Sequence, residues 1–446
     1  MKTRKLRLGV GNRQACAIAE PLRVLIVAEN ASDSFGGEAA LPLRYFTLLR
    51  DRGIPAWLIT HARVRDELSR SVPHDLDRIH FIEDSALHRW LWKLGTYLEP
   101  RLEYVSTGFL SRLVTQVEQR RVARKLVKEH GIDVVHQPTP VSAREPSLLT
   151  DLDVPVVIGP MKGDTDYPPA FRNEESLLTR MAIGLGRASA GWLNRIFPGK
   201  RQASILLVAN EHSRSALLDG TSAKVFDLAE NGVDMNVWRP NRGASADASL
   251  CRFVFVGRLV RSKGVDLLLR AFEQVAAGGS PISCLIIGEG PLREDLRIRA
   301  ETAGILGSAQ DEPGKVTFAG WQSQARVAEL LVGQDCLVLP TLLESGGAVL
   351  LEAMAVGLPV IATKWGGPAE YVDDSCGILV PPESRESLIA GLADAMGRLA
   401  RDARLRHAMG EAGRRKIERF YTWDTKIDRI LDFYRQAIQP LTAAKL

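Results

Sequence analysis

Short apolar runs alternate with longer amphipathic segments along most of the chain, a pattern typical of βαβ units and a parallel sheet. In the first half this pattern predicts a buried strand at residues 23–29 and a helix at residues 38–52, which ends at Gly53. Residues 84–129 are rich in Arg, Leu and aromatic residues and show no clear strand, so we expect helices there. Further strands of the first half are predicted at residues 56–60, 133–136, 154–159 and 205–209.

A polar stretch of small residues at 241–250 indicates a linker, and the alternation restarts after it. The expected fold class is therefore α/β, with two doubly wound, Rossmann-like domains (residues 1–240 and 241–423) that face a central cleft. Because open α/β sheets bind ligands at the carboxyl ends of their strands, that cleft is the expected site. The second half is predicted to have strands beginning at residues 252, 282, 316, 336, 359 and 377 and helices at 263–277, 291–303 and 326–331.

Composition places the chain among soluble globular proteins. Of its 446 residues, 45% are hydrophobic and 25% are charged, and no apolar run reaches the ~18 to 20 residues that span a bilayer. The basic leader has no apolar core of the signal-peptide kind, so we expect a cytoplasmic location. Five scattered cysteines without CxxC spacing argue against a disulfide framework or a structural zinc site.

The net charge of +5 is unevenly distributed. Residues 1–240 contain 33 Lys or Arg against 28 Asp or Glu, whereas residues 241–446 contain 25 of each. The first half is therefore expected to meet something anionic, although this excess is small beside that of nucleic-acid binders, and no nucleic-acid partner is expected. Segments 87–113 and 191–201 combine Trp, Leu and basic residues, which is typical of interfacial helices. They predict peripheral contact with an anionic membrane, or else buried core helices.

The first candidate site is a pair of glutamates, Glu344 and Glu352, with two glycines close after the first. Because Gly346 and Gly347 would each cost about 1 kcal/mol inside a helix, the helix is expected to start near them. The free N–H groups of Gly346, Gly347 and Ala348 would then suit an oxygen-rich or anionic ligand. The alternative is a surface glutamate beside an ordinary helix start.

The second candidate is the turn after the predicted strand at residue 252, where Arg258 and Lys263 flank the entry into a helix. Cations at the carboxyl end of a strand can hold a diphosphate through charge-assisted hydrogen bonds. Arg261, between them, is expected to be solvated, and for an isolated basic turn solvation of all three is the alternative.

The third candidate is the glycine pair Gly36 and Gly37, which follows the first strand and lets a ligand approach the backbone closely. It is not the GxGxxG fingerprint of dinucleotide binding, because no third glycine follows. The segment GEGPLR, from Gly288, has Arg293 where that glycine would stand. A nicotinamide or flavin cofactor is therefore not expected.

Taken in order, these segments resemble the family 4 retaining glycosyltransferases, which have the two-domain GT-B fold. The interdomain turn of that family is similar to LAENGVDMNVWRP, from Leu228, and its diphosphate motif to VGRLVRSKG, from Val256. The next βα unit is similar to LIIGEGPLREDL, from Leu285, and the E-x7-E signature to ESGGAVLLE, from Glu344. The resemblance covers nearly the whole chain and is densest at residues 228–380.

The resemblance implies a role for each matching residue. Arg258 and Lys263 would neutralise the diphosphate of a nucleotide-sugar donor, such as a UDP- or GDP-sugar, while Glu344 would face the donor sugar and Glu352 the ribose. Gly36 and Gly37 would line the cleft, His136 would lie near the sugar, and a final helix at 424–446 would pack back on the first domain. The helix-start amides would bind sugar hydroxyls or phosphate. For His136 a purely structural role is the alternative.

Two segments depart from the family pattern. Many members have a bulky residue between the first Glu and the second Gly, whereas this chain has Ser345 and Gly346. Residues 159–171 replace a His-bearing loop, and Lys162 and Gly163 within them are expected near the acceptor. Both departures leave the sugar and acceptor undefined.

The resulting prediction is a retaining, metal-independent hexosyltransferase that moves a sugar to a glycan or lipid-linked saccharide in cell-surface or exopolysaccharide assembly. Cations and amides aimed at the leaving phosphate can supply catalysis electrostatically, so no metal is expected. Three Asp-x-Asp matches, at residues 75–77, 151–153 and 164–166, are unsurprising for so loose a pattern. The alternatives are a glycoside hydrolase, which also uses two carboxylates but needs no diphosphate site, and a catalytically silent nucleotide- or glycan-binding subunit.

Overall fold

The computed structural model describes residues 22–35, 37–140, 142–163, 166–217, 220, 223–240, 250–344 and 346–443. Gly36, Ser345, the basic leader and all of the predicted linker except Leu250 lie outside these ranges. The strands are β1 (Val24–Val27), β2 (Ala56–His61), β3 (Ile79–Ile82), β4 (Val134–Gln137), β5 (Val156–Met161), β6 (Ile205–Val208), β7 (Lys224–Asp227), β8 (Cys251–Val256), β9 (Ile282–Ile287), β10 (Lys315–Gly320), β11 (Cys336–Leu339), β12 (Val360–Thr363) and β13 (Gly377–Val380).

Helices connect these strands. They are α1 (Gly37–Asp51), α2 (Arg65–Ser71), α3 (Ala86–Gly95), α4 (Pro100–Val105), α5 (Thr107–His130), α6 (Leu177–Ile196), α7 (Gly199–Gln202), α8 (Glu211–Ser215), α9 (Val265–Ala277), α10 (Arg293–Thr302), α11 (Gln324–Val332), α12 (Ala348–Val356), α13 (Pro368–Tyr371), α14 (Arg385–Arg401), α15 (Ala403–Phe420) and α16 (Trp423–Ala443). None of the described helices is long and apolar enough to cross a bilayer.

The first half forms a seven-stranded sheet in the order β3-β2-β1-β4-β5-β6-β7, and all described pairs are parallel. Val24 of β1 pairs with Ala56 on one side and with Val134 on the other. Helices cover both faces, so the central strands are apolar at every position rather than alternating. The strand order reverses between β1 and β4, which places a crevice at their carboxyl ends.

The second half repeats this design. Its six strands are parallel and follow the order β10-β9-β8-β11-β12-β13, so the order reverses between β8 and β11. Its core contains Phe253 and Phe255 of β8, Phe272 of α9 and Leu350 of α12. The two doubly wound sheets confirm the predicted α/β fold class.

The last helix, α16, packs against the sheet of the first half. Ile427, Ile430 and Tyr434 are fully buried in one core cluster with Tyr45 and Phe46 of α1. The opposite face of that sheet is covered by α5. The chain therefore crosses back from the second half to the first at its end.

The sequence-based prediction differs from the structure mainly at elements whose apolar pattern is weak or whose apolar side chains are exposed. β3 and β7 lie at the two edges of the first sheet and are only partly buried, so neither has the apolar signature of a central strand. α6 is longer than the segment noted in the sequence, and it exposes much of its apolar surface. The edge position of β3 and β7 explains why these strands were not predicted, and the solvent exposure of α6 explains why its length was not.

Candidate functional site

A cavity of about 1060 Å³ lies between the two sheets. Its walls come from the loops that follow the strands at both reversal points and from helix α6. The predicted site residues that line it are Gly37, Lys162, Gly163, Arg258, Lys263, Glu344, Gly346, Gly347 and Ala348. The structure thus gathers most of the sequence-predicted candidates from both halves of the chain at one cleft.

Glu344 lies at the centre of a hydrogen-bond network at the carboxyl end of β11. Its Oε2 pairs with the Lys263 ammonium, and its Oε1 accepts a hydrogen bond from the Gly347 N–H at 3.1 Å. Its backbone carbonyl accepts from the Gly367 N–H at 2.9 Å. These contacts fix the carboxylate beside the start of α12, where Lys263, from the turn after β8, meets it across neighbouring strands.

The start of α12 depends on its glycines. Gly347 is the N-cap residue and has φ 67°, in the left-handed region where a side chain would be strained. A Cβ at Gly346 would lie 2.8 Å from Asn231 Nδ2 and 3.2 Å from Glu230 Oε2. Gly346 therefore lets the loop approach the interdomain turn, and the helix begins at Ala348 as the glycine pair predicts.

Glu352 lies one turn further along α12 and is not among the described residues that line the cavity. It is half-buried, and its carboxylate accepts a hydrogen bond from the Gln324 side chain. Burial raises the pKa of Glu352 to about 7, although this hydrogen bond works in the opposite direction. Glu344 and Glu352 are thus in different environments and do not form a carboxylate dyad.

The three cations of the turn after β8 have different surroundings. Lys263 is mostly buried and paired with Glu344, whereas Arg258 is exposed at the cleft wall. Arg261 is 75% exposed, with Glu174 at 3.6 Å. Only Arg258 and Lys263 line the cavity, which agrees with the expectation that Arg261 is solvated.

The first half contributes a second buried ion pair to the cleft. Lys162 follows β5, is 4% exposed, and places its Nζ 3.2 Å from Glu230 Oε2. Gly163 donates its N–H to Ser213 Oγ at 2.6 Å. Glu230 belongs to the interdomain turn, which was singled out in the sequence as a motif but not as a site. Since β7 was not predicted, nothing in the pattern indicated that Glu230 follows a strand end.

His136 is not at the cleft surface. It is fully buried, its Nε2 lies 2.6 Å from the Gly159 carbonyl oxygen, and its Nδ1 lies 2.7 Å from the Tyr434 hydroxyl of α16. Burial and, to a lesser degree, Lys426 lower the pKa of His136 to about 4 against the effect of the Gly159 hydrogen bond. Both ring nitrogens have protein partners, so the position supports the structural role that the sequence left open and not contact with a substrate.

Glu38 is a residue that the sequence did not single out as a ligand contact. It lies in the first turn of α1 and lines the cleft beside Gly37. Desolvation by the surrounding protein raises its pKa to about 7, and the carboxylates of Glu230 and Glu145 add to this effect. Only the folded arrangement brings these three carboxyl groups near one another, so spacing along the chain could not reveal it.

One cluster of residues with metal-ligand chemistry is found in the described part of the chain, and its three residues do not line the interdomain cavity. Within the described part of the chain, His61, Asp84 and His88 place ligand atoms within 4.8 Å of one another. Each of these three is used in local structure: His61 Nδ1 accepts from the Arg63 N–H, His88 Nδ1 accepts from the Ser85 N–H, and Asp84 accepts from the Arg63 guanidinium at 2.8 Å.

The aspartates of the three Asp-x-Asp matches are dispersed. Asp75 accepts from Arg50, Asp151 pairs with Arg120, and Asp166 accepts a bidentate pair of hydrogen bonds from Arg187. Asp164 lies outside the described residues. The structure thus holds these carboxylates in separate arginine contacts.

Two doubly wound sheets that face a cleft define the GT-B fold, and solved structures share it over nearly the whole chain. A glycosyltransferase from Rickettsia africae is 15% identical with a TM-score of 0.64, covering 94% of this chain and 99% of that structure. HepE from Anabaena, in complex with UDP and glucose, is 16% identical with a TM-score of 0.60, covering 93% of this chain and 100% of that structure. At these identities the likeness shows the fold alone.

Sequence comparisons match the chain to one family model and to curated relatives. Residues 248–416 match the model of the family Glycosyl transferases group 1. A D-inositol 3-phosphate glycosyltransferase of Segniliparus rotundus is 34% identical over 228 residues, which cover 48% of this chain and 47% of the relative. The chain spans about half the length of the curated relatives that it matches. The segment that matches the family model, residues 248–416, contains Arg258, Lys263, Glu344 and the start of α12.

Proposed function

We propose that the protein is a retaining glycosyltransferase of the family 4 type that moves a hexosyl group from a nucleotide sugar to a hydroxyl of a glycan or lipid-linked saccharide. The observation that carries this proposal is the joining of Lys263, Glu344 and the Gly347 amide into one network at the strand-order reversal of the second sheet. Such a site offers a cation, a carboxylate and helix-start N–H groups to one ligand. It lies within the region that matches the group 1 family model.

In this proposal each group of the network contacts a different part of the donor. Arg258 and Lys263 bind the diphosphate, and Glu344 contacts the sugar. Glu352 does not line the cavity in this structure, and its contact with the ribose is the part of the proposal that follows from the family resemblance alone. The N–H groups of Gly346 and Ala348 bind sugar hydroxyls or phosphate oxygen, while the Gly347 N–H, which the sequence grouped with them, stays with Glu344 Oε1. The residues from 1–240 form the acceptor domain, closed by α16, and Lys162 and Gly163 meet the acceptor.

The reaction breaks the bond between the sugar carbon and the donor phosphate, and negative charge develops on the leaving oxygen. Preorganised cations stabilise this charge without reorganisation during the step, so Arg258 and Lys263 suffice electrostatically and no metal is invoked. The acceptor hydroxyl attacks on the same face, and the departing phosphate takes its proton. The new glycosidic bond then keeps the configuration of the donor.

Membrane contact is part of this proposal because α3 and α6 expose large apolar side chains. Leu178, Trp192 and Trp92 are 68%, 63% and 69% exposed. Monomeric soluble proteins rarely expose large apolar side chains together on one surface. Exposed arginines, including Arg180 and Arg195, lie on the same helix α6. This combination suits an anionic membrane surface, which we place at the inner face of the cell membrane.

The test is a screen of UDP- and GDP-sugars for slow hydrolysis and for transfer to lipid-linked sugars, with and without chelator. We expect one nucleotide sugar to be consumed with retained anomeric configuration and unchanged turnover in chelator. Hydrolysis of simple glycosides without any nucleotide sugar would contradict the proposal, as would an absence of turnover with every donor. A requirement for a divalent cation would contradict the metal-independent step.

A further inference from the structure

One wall of the interdomain cavity is apolar and comes from helices α4, α5 and α6 of the first half. Its side chains are half-buried, apart from Leu185, which is 72% exposed, so each of them keeps accessible surface. They are Val105, Phe109, Ile183, Leu185 and Leu193. The proposed donor contacts Lys263 and Glu344 come from the second half, so this wall is available to the other substrate.

The two arginines that α5 and α6 bring to the same cavity are compensated by carboxylates. Arg112 forms a bidentate pair with Glu145 at 2.6 and 3.3 Å. Arg187 forms a bidentate pair with Asp166 at 2.7 and 2.9 Å. The wall therefore adds little net charge, and its aliphatic and aromatic surface suits a part of a ligand that forms no hydrogen bonds.

The exposed apolar stripe of α6 continues this wall to the outside of the molecule. At about 100° per residue, Met181, Leu185 and Trp192 fall within about 60° of Leu178 around the helix axis. All four side chains are exposed, and Leu185 also lines the cavity. The apolar surface is therefore continuous from the outer face of α6, through Leu185, into the cleft.

Gly186 leaves open space beside this path. It lines the cavity, and a Cβ built there would meet no atom within 4 Å outside its chain neighbours and its own helix backbone. Gly186 lies about 80° from Leu178, on the cleft side of the stripe. Gly184 has the same open space, but it lies about 120° from Leu178 on the other side and does not line the cavity.

Basic side chains flank the stripe on the side away from the cleft. Arg195 and Arg180 are exposed and lie about 100° and 160° from Leu178, in the direction opposite to Gly186. A membrane lipid presents hydrocarbon together with an anionic headgroup region, so it matches this helix in charge as well as in polarity. A free glycan would use neither the exposed stripe nor its basic flank.

We infer that the apolar wall binds the hydrocarbon chain of a lipid-linked acceptor, which enters at Leu185 and lies past Gly186 with its sugar toward Glu344. The inference rests on the proposed function in calling this ligand the acceptor, whereas hydrocarbon binding itself does not depend on donor use. The cavity volume of about 1060 Å³ is at the upper limit of the roughly 300 to 1,000 Å³ typical of one small molecule. Such a size is expected where two substrates meet.

The test is isothermal calorimetry of the full-length protein with glucose and with hexyl, octyl and decyl glucoside. The probes are kept below their micelle concentrations, and no vesicles are present, which separates binding in the cleft from membrane contact. Each CH₂ group that becomes buried tightens binding by up to about fourfold. We therefore expect decyl glucoside to bind at least about tenfold more tightly than hexyl glucoside.

Two glycine variants of α6 locate the chain. Gly186→Gln places a polar side chain in the open space on the path, and replacement of a glycine inside a helix favours the helix. It should weaken the binding of decyl glucoside at least roughly tenfold. Gly184→Gln is the matched control, with the same substitution outside the cavity, and should bind as the wild type does.

Three results would overturn the inference: equal affinities for hexyl and decyl glucoside, an unchanged affinity in Gly186→Gln, or an equal loss in Gly184→Gln. Turnover of a nucleotide sugar alongside any of these results would leave the proposed function standing. Binding that depends on chain length, without turnover of any nucleotide sugar, would do the reverse.

Discussion

Among single residues, the proposed donor site depends most on the ion pair between Lys263 and Glu344. An ammonium group has three N–H donors, so Lys263 can keep its bond to Glu344 and still donate to a phosphate oxygen. Glu344 in turn accepts from the Gly347 N–H, which holds the carboxylate at the helix start. Binding of a donor would therefore add partners to an existing arrangement and would not require the site to form anew.

His136 gives a residue-scale prediction about pH. Its folded pKa of about 4 is below the ordinary 6.5, so the unfolded chain binds its proton first as the pH falls. The stabilising contribution is fully present above pH 6.5 and is lost between pH 6.5 and about 4, by up to about 3 kcal/mol. We expect the fall in unfolding free energy over this window to be smaller in His136→Gln than in the wild type, measured by urea unfolding at stepped pH.

The matched control is His407→Gln. His407 is 76% exposed beside Glu411, and its removal should leave the pH profile unchanged. An identical decline in the wild type and in His136→Gln would show that the buried imidazole does not carry the effect.

At the scale of the element, α16 is the helix whose packing ties the end of the chain to the first sheet. Ile430 is fully buried there among residues of α1 and the central strands. Truncation to Ala leaves a cavity that such a core fills poorly, with a cost of about 2 to 5 kcal/mol. We therefore expect Ile430→Ala to lower the urea midpoint of the first transition seen by tryptophan fluorescence.

Arg435→Ala on the same helix is the control for this prediction. Arg435 is 63% exposed, and its pair with Asp432 is a surface contact of small energy. If both variants unfolded at the wild-type midpoint, α16 would not be an integral part of the first half.

The elements also show how far sequence reasoning reaches. Central strands such as β1 and β8 are apolar because both faces of their sheet are covered. Their continuous apolar runs therefore predict them directly from the sequence. The segment KVFD of β7 is half solvent-exposed at a sheet edge and has no such run. Of the site, the glycine loop and the two cations follow from strand ends and turn chemistry. The Glu230 and Lys162 pair does not, because it joins loops that are distant in the sequence.

At the scale of the whole molecule, several contacts join the two halves beside the cleft. The Trp365 indole N–H donates to the Asp166 carbonyl at 2.7 Å. Arg385, which pairs with Asp266 of its own half at 2.6 Å, reaches Glu174 of the first half at 2.7 Å. Together with α16 and with Phe171, which is buried in the core cluster of the second half, these contacts connect the two halves. Such connections are suited to lobes that close on a donor and open to release the product.

The apolar face of α6 gives a prediction for the whole molecule at a membrane. Changing Leu178 and Trp192 together to Ser removes two exposed apolar side chains that do not line the cleft. We expect weaker flotation with vesicles of phosphatidylglycerol and phosphatidylcholine, and little binding to phosphatidylcholine alone. The control is Trp321→Ser, since Trp321 is 73% exposed in the second half. Equal flotation of the double variant and the wild type would contradict membrane contact through α6.

The most direct test of the central claim is the affinity of the protein for its nucleotide sugar, measured by calorimetry in wild type, Lys263→Ala and Arg261→Ala. Both lysine and arginine belong to the same turn, but only Lys263 lines the cleft and pairs with Glu344. We expect binding at least about tenfold weaker in Lys263→Ala, because a charge-assisted bond to phosphate is lost, and wild-type affinity in Arg261→Ala. Equal binding by all three proteins, or a loss confined to Arg261→Ala, would contradict this expectation.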